Sequence, residues 1–149
     1  MPRVSLEAVQ ASLEWKKFPV QYTRGAREGV KLKLIAPREH WITAEDLMAA
    51  LTPRTRVVSA SMVRFDDGSM LEAAKLGAAC HTQGTLLALD VSQCCGAIPM
   101  DVRQQGADFI TCSGYKWLLG PYGSGFFWGK GEFMASFRPG PFYWQGIQG

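Results

Sequence analysis

The sequence of 149 residues has no asparagine, and it has only two histidines and four cysteines. The absence of asparagine excludes N-linked glycosylation. The cysteines lack the spacing of a zinc site, so a metal centre is not expected. No apolar run approaches the roughly 18 residues that a membrane helix needs, and the first residues lack the apolar stretch of a signal peptide. We therefore expect a cytoplasmic protein with reduced cysteines and no contact with membranes.

An excess of charge of one sign is also missing. Sixteen Lys and Arg against 13 Asp and Glu give a formal net charge of +3. Nucleic-acid-binding domains usually carry a dense basic face, so a nucleic-acid partner is not expected. Hydrophobic residues make up 47% and charged residues 19% of the chain. This composition is typical of a folded globular domain rather than of a disordered chain.

The common phosphate-binding motifs are absent as well. The sequence has no G-x-x-x-x-G-K-[ST] loop and no G-x-G-x-x-G after a predicted strand. The glycine-rich run at 120–125 precedes a predicted strand, which reverses the order found in dinucleotide-binding folds. These absences argue against an unrelated α/β nucleotide-binding module, although that hypothesis stays open here.

Strand and helix patterns alternate through the middle of the chain. Runs of apolar and β-branched residues predict strands at 56–63, 85–90, 108–113 and 123–128. Thr43 begins the sequence T-A-E-D and predicts a capped helix that ends at Pro53. Ser69, with a Glu three residues later, predicts a second capped helix through Thr82, which Gly84 ends. The alternation predicts an α/β fold with a mainly parallel sheet and flanking helices.

The two ends of the chain have a different character. Residues 1–30 lack a clean periodicity, although Leu6–Phe18 could form a helix. At the other end, residues 115–149 contain 11 of the 17 aromatic residues. So many aromatic side chains would form an exposed apolar patch if the segment stood alone. We therefore expect this segment to pack against further protein material or another subunit.

Asp90 and Lys116 carry the strongest chemical signal. Asp90 ends a predicted buried strand, where open α/β sheets bind their ligands, and a carboxylate there needs a cation or hydrogen-bond donors. Lys116 follows the next predicted strand, and its apolar neighbours would disfavour the charged amine and leave it available as a nucleophile. Pyridoxal phosphate needs a Schiff-base lysine and a carboxylate on its pyridine nitrogen. Ser113 and the turn around it could donate hydrogen bonds to the phosphate.

The segment from Asp90 to Gly125 resembles the class V aminotransferases, pyridoxal-phosphate enzymes that include cysteine desulfurases, kynureninases and isopenicillin-N-epimerase-like proteins. The family pattern is an Asp, a Gln three residues later, Gly, Pro and Asp-Val, then Asp-Phe, Ser-Gly-His-Lys and Gly-Pro-x-Gly. The matching residues occur in order as Asp90, Gln93, Gly96, Pro99, Asp101, Val102, Asp108, Phe109, Ser113, Gly114, Lys116, Gly120, Pro121 and Gly123. Upstream segments extend the resemblance over roughly residues 30–149.

The resemblance implies a partial large domain of the aspartate-aminotransferase-type fold, also called fold type I. In this division residues 31–137 form the central part of the pyridoxal-phosphate-binding large domain. Residues 1–30 form a poorly matching N-terminal segment, and residues 138–149 begin the connection to a C-terminal region. The resemblance also implies an amino-acid substrate and a homodimer for the complete protein.

The resemblance assigns a role to each candidate site residue. Lys116 would form the internal aldimine with pyridoxal 5'-phosphate and act as the proton-transfer base. Asp90 would pair with the protonated pyridine nitrogen, and Gln93 would bind the phenolic oxygen of the ring. Ser113 would bind the phosphate, and the hydroxyl of Tyr115 could reach the same group.

Three departures from the family pattern are visible. Tyr115 replaces the histidine that normally precedes the lysine. Arg64 or Phe65 occupies the region where desulfurases carry an asparagine. The chain is also shorter than the family's members, so we expect the 149 residues alone to be inactive. Transaminase and carbon–sulfur or carbon–carbon lyase chemistry both stay open, as does a truncated non-catalytic relative of the family.

Overall fold

The computed structural model describes residues 7–11, 30–37 and 40–136. Within these residues the chain forms six strands and three helices. In chain order they are β1 (Glu7–Ala11), β2 (Lys31–Ile35), α1 (Ala44–Ala49), β3 (Thr55–Ser61), α2 (Ala73–Thr82), β4 (Leu86–Asp90), β5 (Phe109–Ser113), β6 (Gly125–Gly129) and α3 (Gly131–Ser136).

The six strands form one sheet in the order β2-β1-β3-β4-β5-β6. Every neighbouring pair is parallel except β5 and β6, which are antiparallel. Ser61 pairs with Asp90, and Asp90 pairs with Thr111, so the carboxyl ends of β3, β4 and β5 share one edge of the sheet. We call it the carboxyl edge. The prediction of a mainly parallel α/β sheet with flanking helices is confirmed.

One expectation at the N-terminus is wrong. Glu7–Ala11 form strand β1, not part of a helix over Leu6–Phe18. This strand lies between β2 and β3 and pairs in parallel with both. Ladder hydrogen bonds on both sides outweigh a weak local preference for helix. The remainder of that segment lies outside the described residues, and so do residues 137–149 of the aromatic C-terminal segment.

The predicted capping box of α1 is confirmed. The hydroxyl of Thr43 accepts a hydrogen bond from the Asp46 amide at 3.2 Å, and the Asp46 carboxylate accepts one from the Thr43 amide at 3.0 Å. These bonds satisfy amides that the first helical turn would leave unpaired. The helix ends at Ala49, before the Pro53 that the sequence predicted as its limit.

The predicted start of α2 at Ser69 is wrong, because the helix begins at Ala73. Ser69 instead donates its amide to Asp67 Oδ1 at 2.8 Å and accepts from the Arg64 amide at 3.0 Å. Met70 pairs with Val63 in an isolated antiparallel bridge. Tertiary pairing therefore holds the residues that the capping pattern assigned to a first helical turn. The end of the helix is as predicted, with Gly84 at a φ of +67°.

The core lies between the helices α1 and α2 and the central strands. Its largest fully buried apolar side chains are Val58, Leu47, Leu76, Leu87, Leu89, Ile110 and Val91. On β5 and α3, the Phe109 ring stacks on Phe133 at 5.1 Å and contacts Phe127 at 5.8 Å between ring centroids. None of the helices in the described part of the chain is long and apolar enough to cross a membrane.

The buried carboxylate of Asp108 connects several elements at the edge of the sheet opposite the carboxyl edge. Asp108 Oδ2 accepts hydrogen bonds from the Leu87 amide at 2.8 Å and from His81 Nε2 at 3.0 Å. Asp108 Oδ1 lies 3.3 Å from the Lys130 ammonium. Asp108 therefore links α2, β4 and the end of β6, which keeps these elements in register far from the carboxyl edge.

Gly77→Ala is expected to destabilise the protein. A β-carbon at Gly77 would lie 2.7 Å from the Gly106 carbonyl oxygen, so α2 would have to move away from the loop before β5. Such overpacking costs about 1–3 kcal/mol, against a gain in helix propensity of about 1 kcal/mol. Urea unfolding measures the difference. Gly131→Ala is the matched control, because nothing lies within 4 Å of its added carbon. Equal stability of the two variants would contradict the close approach.

Candidate active site

Three segments meet at the carboxyl edge. The Met62 amide, just after β3, donates to the Asp90 carbonyl at 2.9 Å, and the Val91 amide donates to the Thr111 carbonyl at 2.9 Å. These bonds hold the ends of β3, β4 and β5 side by side. The loop after β4 carries Gln93, and the loop after β5 carries Lys116. The order of the strands thus brings together residues that are far apart in the sequence.

Asp90 occupies the last position of β4 and is half-buried. Its Oδ1 atom accepts a hydrogen bond from the Ser92 amide at 2.8 Å, which closes a tight turn after the strand. Its Oδ2 atom has no hydrogen-bond partner within the described residues. One carboxylate oxygen is therefore available to a ligand.

Ser92 links Asp90 to the end of β5. Its hydroxyl accepts a hydrogen bond from the Ser113 amide at 2.8 Å, while its own amide is bound to Asp90. The side chain is buried. The family pattern does not single out Ser92, and a serine two residues after an aspartate is common in ordinary turns. The side chain of Ser113 makes no hydrogen bond within the described residues, so its hydroxyl is available to a ligand.

A glycine contact brings the loop that carries Gln93 against the segment that carries Lys116. Gly96 has a φ of +94°, and a β-carbon there would lie 2.8 Å from the Trp117 carbonyl oxygen. Only glycine allows this approach without moving one of the two backbones. Gln93 is half-buried, and its carboxamide has no hydrogen-bond partner in the part of the chain that the structure describes.

The loop that carries Lys116 closes on itself. The Leu119 amide donates to the Lys116 carbonyl at 3.0 Å, and the Gly120 amide donates to the Gly114 carbonyl at 2.8 Å. The Gly114 amide in turn donates to the Ser124 carbonyl at 2.9 Å. Leu119 has a φ of +55°, a left-handed conformation that is uncommon for a leucine. These bonds give the turn around Lys116 a defined shape.

The Lys116 side chain is half-buried, and its amine has no hydrogen bond or ion pair within the described residues. The apolar side chains beside it are exposed rather than packed around the amine: Trp117, Leu118, and Leu119, which is 88% exposed. The sequence suggested that these neighbours would shield the Lys116 amine from water, but within the described residues they do not. Desolvation of the amine stays a prediction.

Tyr115 lies beside Lys116 and stacks on another ring of the same loop. The Tyr115 and Tyr122 rings have centroids 4.8 Å apart and an angle of 22° between their planes. Tyr115 is 41% exposed, and its hydroxyl makes no hydrogen bond within the described residues. The stacking fixes the ring and leaves the hydroxyl available as a neutral donor.

Arg64 follows β3 and is held within its own loop. Its guanidinium is bound to Asp66 and lies 3.2 Å from Asp67 Oδ2, and its side chain is almost fully buried. Hydrogen bonding by Ser69, followed by the charge of Arg64, lowers the pKa of the Asp67 carboxyl. With two carboxylates against one guanidinium, Arg64 fixes the loop and is not a free cation for a substrate carboxylate.

Three of the four free cysteines are buried, and Cys95 is half-buried. Burial raises the pKa of Cys94 and of Cys80 to about 11. Burial, followed by the neighbouring Cys95, also raises the pKa of Cys112 to about 11. No cluster of metal ligands occurs among the described residues. Cys94, Cys95 and Cys112 lie close together near Asp90, whereas Cys80 lies near Asp108 at the opposite edge of the sheet.

We expect Cys95 to be alkylated first when the folded protein is treated with iodoacetamide at pH 8. The thiolate is the reactive form, and a pKa of about 11 gives Cys94 roughly a hundredfold less thiolate than an unperturbed thiol. Because burial disfavours the Cys94 thiolate in the folded state, ionisation of this thiol opposes folding, and stability is expected to fall as the pH rises from about 9 towards 11. Mass spectrometry of timed samples checks the order. Equal labelling of Cys94 and Cys95 would contradict it.

The available groups at the carboxyl edge fit pyridoxal phosphate. One carboxylate oxygen, one amine, one carboxamide and two hydroxyls, from Asp90, Lys116, Gln93, Ser113 and Tyr115, have no partner within the described residues. Together they offer an acceptor for a protonated ring nitrogen, a nucleophilic amine and neutral donors for a phosphate.

Similarity to known proteins extends over most of the chain. The sequence model of the family described as aminotransferase class-V matches residues 15–143. A mitochondrial cysteine desulfurase of Arthroderma benhamiae is 37% identical over 84 residues, which cover 56% of this chain and 16% of the relative. The cysteine desulfurase IscS of Klebsiella pneumoniae is 32% identical over 100 residues, covering 66% of this chain and 24% of the relative. The chain therefore spans no more than about a quarter of these curated relatives.

Solved structures show the same fold. A cysteine desulfurase of Thermococcus onnurineus NA1, in its apo form, has a TM-score of 0.76 at 25% identity, over 91% of this chain and 34% of that one. A C-DES variant with glycine covalently linked to its pyridoxal-phosphate cofactor has a TM-score of 0.81 at 22% identity, over 91% of this chain and 37% of that one. The second likeness supports the fold alone.

Proposed function

Because this chain belongs to the aminotransferase class-V family, we propose that its carboxyl edge binds pyridoxal phosphate and that the protein acts on an amino acid, with Lys116 as the Schiff-base lysine. The observation that carries the proposal is the presence of a carboxylate and an amine at one edge of the sheet. Asp90 keeps a free carboxylate oxygen, and Lys116 keeps a free amine, on adjacent segments that Ser92 and Gly96 hold together.

Each candidate residue has a role that its surroundings allow. The free oxygen of Asp90 would accept a hydrogen bond from the protonated ring nitrogen. Gln93 would donate its amide to the phenolic oxygen, and the hydroxyls of Ser113 and Tyr115 would donate to the phosphate. When bound, pyridoxal phosphate withdraws electrons from the substrate carbon that bears the amino group. Lys116 would move a proton to or from that carbon, because its amine has no competing partner in the described residues.

Two kinds of reaction fit the residues at the site. Transamination would convert an amino acid into a 2-oxo acid, whereas a lyase would break a carbon–sulfur or carbon–carbon bond. The named relatives are cysteine desulfurases, which favours cysteine as the first substrate to test. Arg64 is bound to two carboxylates, so the substrate carboxylate would need a different cation.

An exposed apolar surface adjoins Lys116 and supports a homodimer for the complete protein. It comprises Trp117, Leu118, Leu119 and Tyr122, of which Tyr122 is 90% exposed. Apolar patches of this kind usually mark contact with another protein surface. We also propose a cytoplasmic location for the protein.

A product assay tests the proposed function. The complete protein is purified, loaded with pyridoxal phosphate and incubated separately with L-cysteine, L-alanine and L-kynurenine. Each incubation contains a thiol reductant and a 2-oxo acid as amino-group acceptor. Sulfide from cysteine would identify carbon–sulfur cleavage, anthranilate from kynurenine would identify carbon–carbon cleavage, and a 2-oxo acid without either would identify transamination. A non-catalytic relative of the family would bind the cofactor and give no product. Failure to bind the cofactor would contradict the proposal itself.

A further inference from the structure

We propose that Ser92 is a positioning residue that sets the distance between Asp90 and Ser113 and thereby shapes the cofactor site. The inference rests on the proposed function and adds to it a residue that touches neither substrate nor cofactor. The parallel ladder between β4 and β5 stops beside Ser92.

The ladder between β4 and β5 ends one bond early. The Val91 amide donates to the Thr111 carbonyl at 2.9 Å, as in a regular parallel pair. The next bond of such a ladder would run from the Ser113 amide to the Val91 carbonyl. That carbonyl instead accepts from the Cys94 and Cys95 amides at 3.0 and 2.8 Å, because the chain turns after β4. The Ser113 amide therefore needs another acceptor.

The Ser92 hydroxyl takes the place of the missing carbonyl. It lies 2.8 Å from the Ser113 amide, and the Ser92 amide lies 2.8 Å from Asp90 Oδ1. One buried residue thus bonds directly to both segments of the site. If the hydroxyl is removed, the turn can still form through the Ser92 amide, but Ser113 is no longer tied to Asp90.

Cofactor-binding strength separates a positioning role from a merely structural one. We expect Ser92→Ala to raise the dissociation constant for pyridoxal phosphate about tenfold, because Ser113 would no longer be held in place for its hydrogen bond to the phosphate, and a hydrogen bond of ordinary strength contributes about that factor. Ser92→Thr keeps the hydroxyl and is expected to bind within about twofold of the unmodified chain. The change in cofactor absorbance on titration gives the constant.

The matched control is Thr85→Val. The Thr85 hydroxyl is also buried and donates to the Thr55 carbonyl at 2.9 Å, but it lies at the opposite edge of the sheet. Both variants lose one buried side-chain hydrogen bond and should lose similar stability in urea. Only Ser92→Ala should weaken cofactor binding. Equal weakening in both variants, or no weakening in Ser92→Ala, would overturn the inference.

Hydrogen exchange in the absence of cofactor tests the hydrogen bond between the Ser113 amide and the Ser92 hydroxyl. The Ser113 amide should exchange at least about tenfold faster in Ser92→Ala than in the unmodified chain, and Ser92→Thr should restore its protection. Unchanged exchange in Ser92→Ala would overturn the inference. If the unmodified chain does not bind pyridoxal phosphate at all, the proposed function and this inference fail together. Failure of the inference alone leaves binding by the unmodified chain intact.

Discussion

Lys116→Ala is expected to lower amino-acid turnover by about a thousandfold or more. The variant removes the amine that would hold the cofactor and the group that would transfer the proton, and a positioned acid–base group alone contributes about 10²–10⁴ in rate. Turnover is measured with the substrate that gives product in the assay above. The loss should appear in kcat rather than in stability, because the Lys116 side chain forms no hydrogen bond or ion pair within the described residues.

Two further variants separate chemistry from charge. Lys116→Arg keeps a positive charge but cannot lose its proton, so it should be as inactive as Lys116→Ala. Lys75→Ala removes an exposed lysine that is paired with Glu45 on the surface, and it should retain full activity. Substantial turnover by Lys116→Ala, or activity in Lys116→Arg, would contradict the assigned role.

Gly96→Ala is expected to damage both the fold and the site. A β-carbon would lie 2.8 Å from the Trp117 carbonyl oxygen, and the residue would keep a φ of +94° that alanine adopts only with strain. Overpacking costs about 1–3 kcal/mol and the backbone strain about 1–2 kcal/mol. Relief of the clash would also move the segment with Lys116 away from the loop with Gln93. Covalent capture of the cofactor at Lys116 should therefore fall at least tenfold.

Gly84→Ala separates the cost of backbone strain from the cost of overpacking. Gly84 has a φ of +67°, but nothing lies within 4 Å of an added β-carbon. This variant should lose only about 1–2 kcal/mol, from backbone strain alone, and should capture the cofactor normally. Urea unfolding and cofactor capture are measured on both variants. Normal capture by Gly96→Ala would show that the contact with Trp117 does not position Lys116.

Local patterns predicted much of the fold. The capping box at Thr43 needs only residues within one helical turn, and the strand run that ends at Asp90 is apolar because it is buried on both faces. The start of α2 could not be read in the same way. Ser69 satisfies a local capping rule, yet its amide binds Asp67 and the next residue pairs with Val63. Pairing between the residues after β3 and the residues before α2 decided that boundary, and the capping pattern alone does not reveal it.

The residues of the candidate site also differ in whether the sequence alone reveals them. Asp90, Gln93 and Lys116 could be identified because residue type and order carry chemical meaning for a cofactor. The role of Ser92 and the backbone contact made by Gly96 could not be identified, since they depend on partners about 21 residues away in the sequence, Ser113 and Trp117. The turn pattern of an aspartate followed by a serine gives a weak local signal for Ser92. The contact between two backbones at Gly96 gives no signal beyond the glycine itself.

The most direct test of the central claim is chemical capture of the cofactor. The purified chain is mixed with pyridoxal phosphate, reduced with borohydride and digested, and the labelled lysine is identified by mass spectrometry. The proposed site predicts label at Lys116, none in Lys116→Ala, and unchanged label in Lys75→Ala. Label spread over surface lysines, or its persistence in Lys116→Ala, would contradict a cofactor site at the carboxyl edge of the sheet.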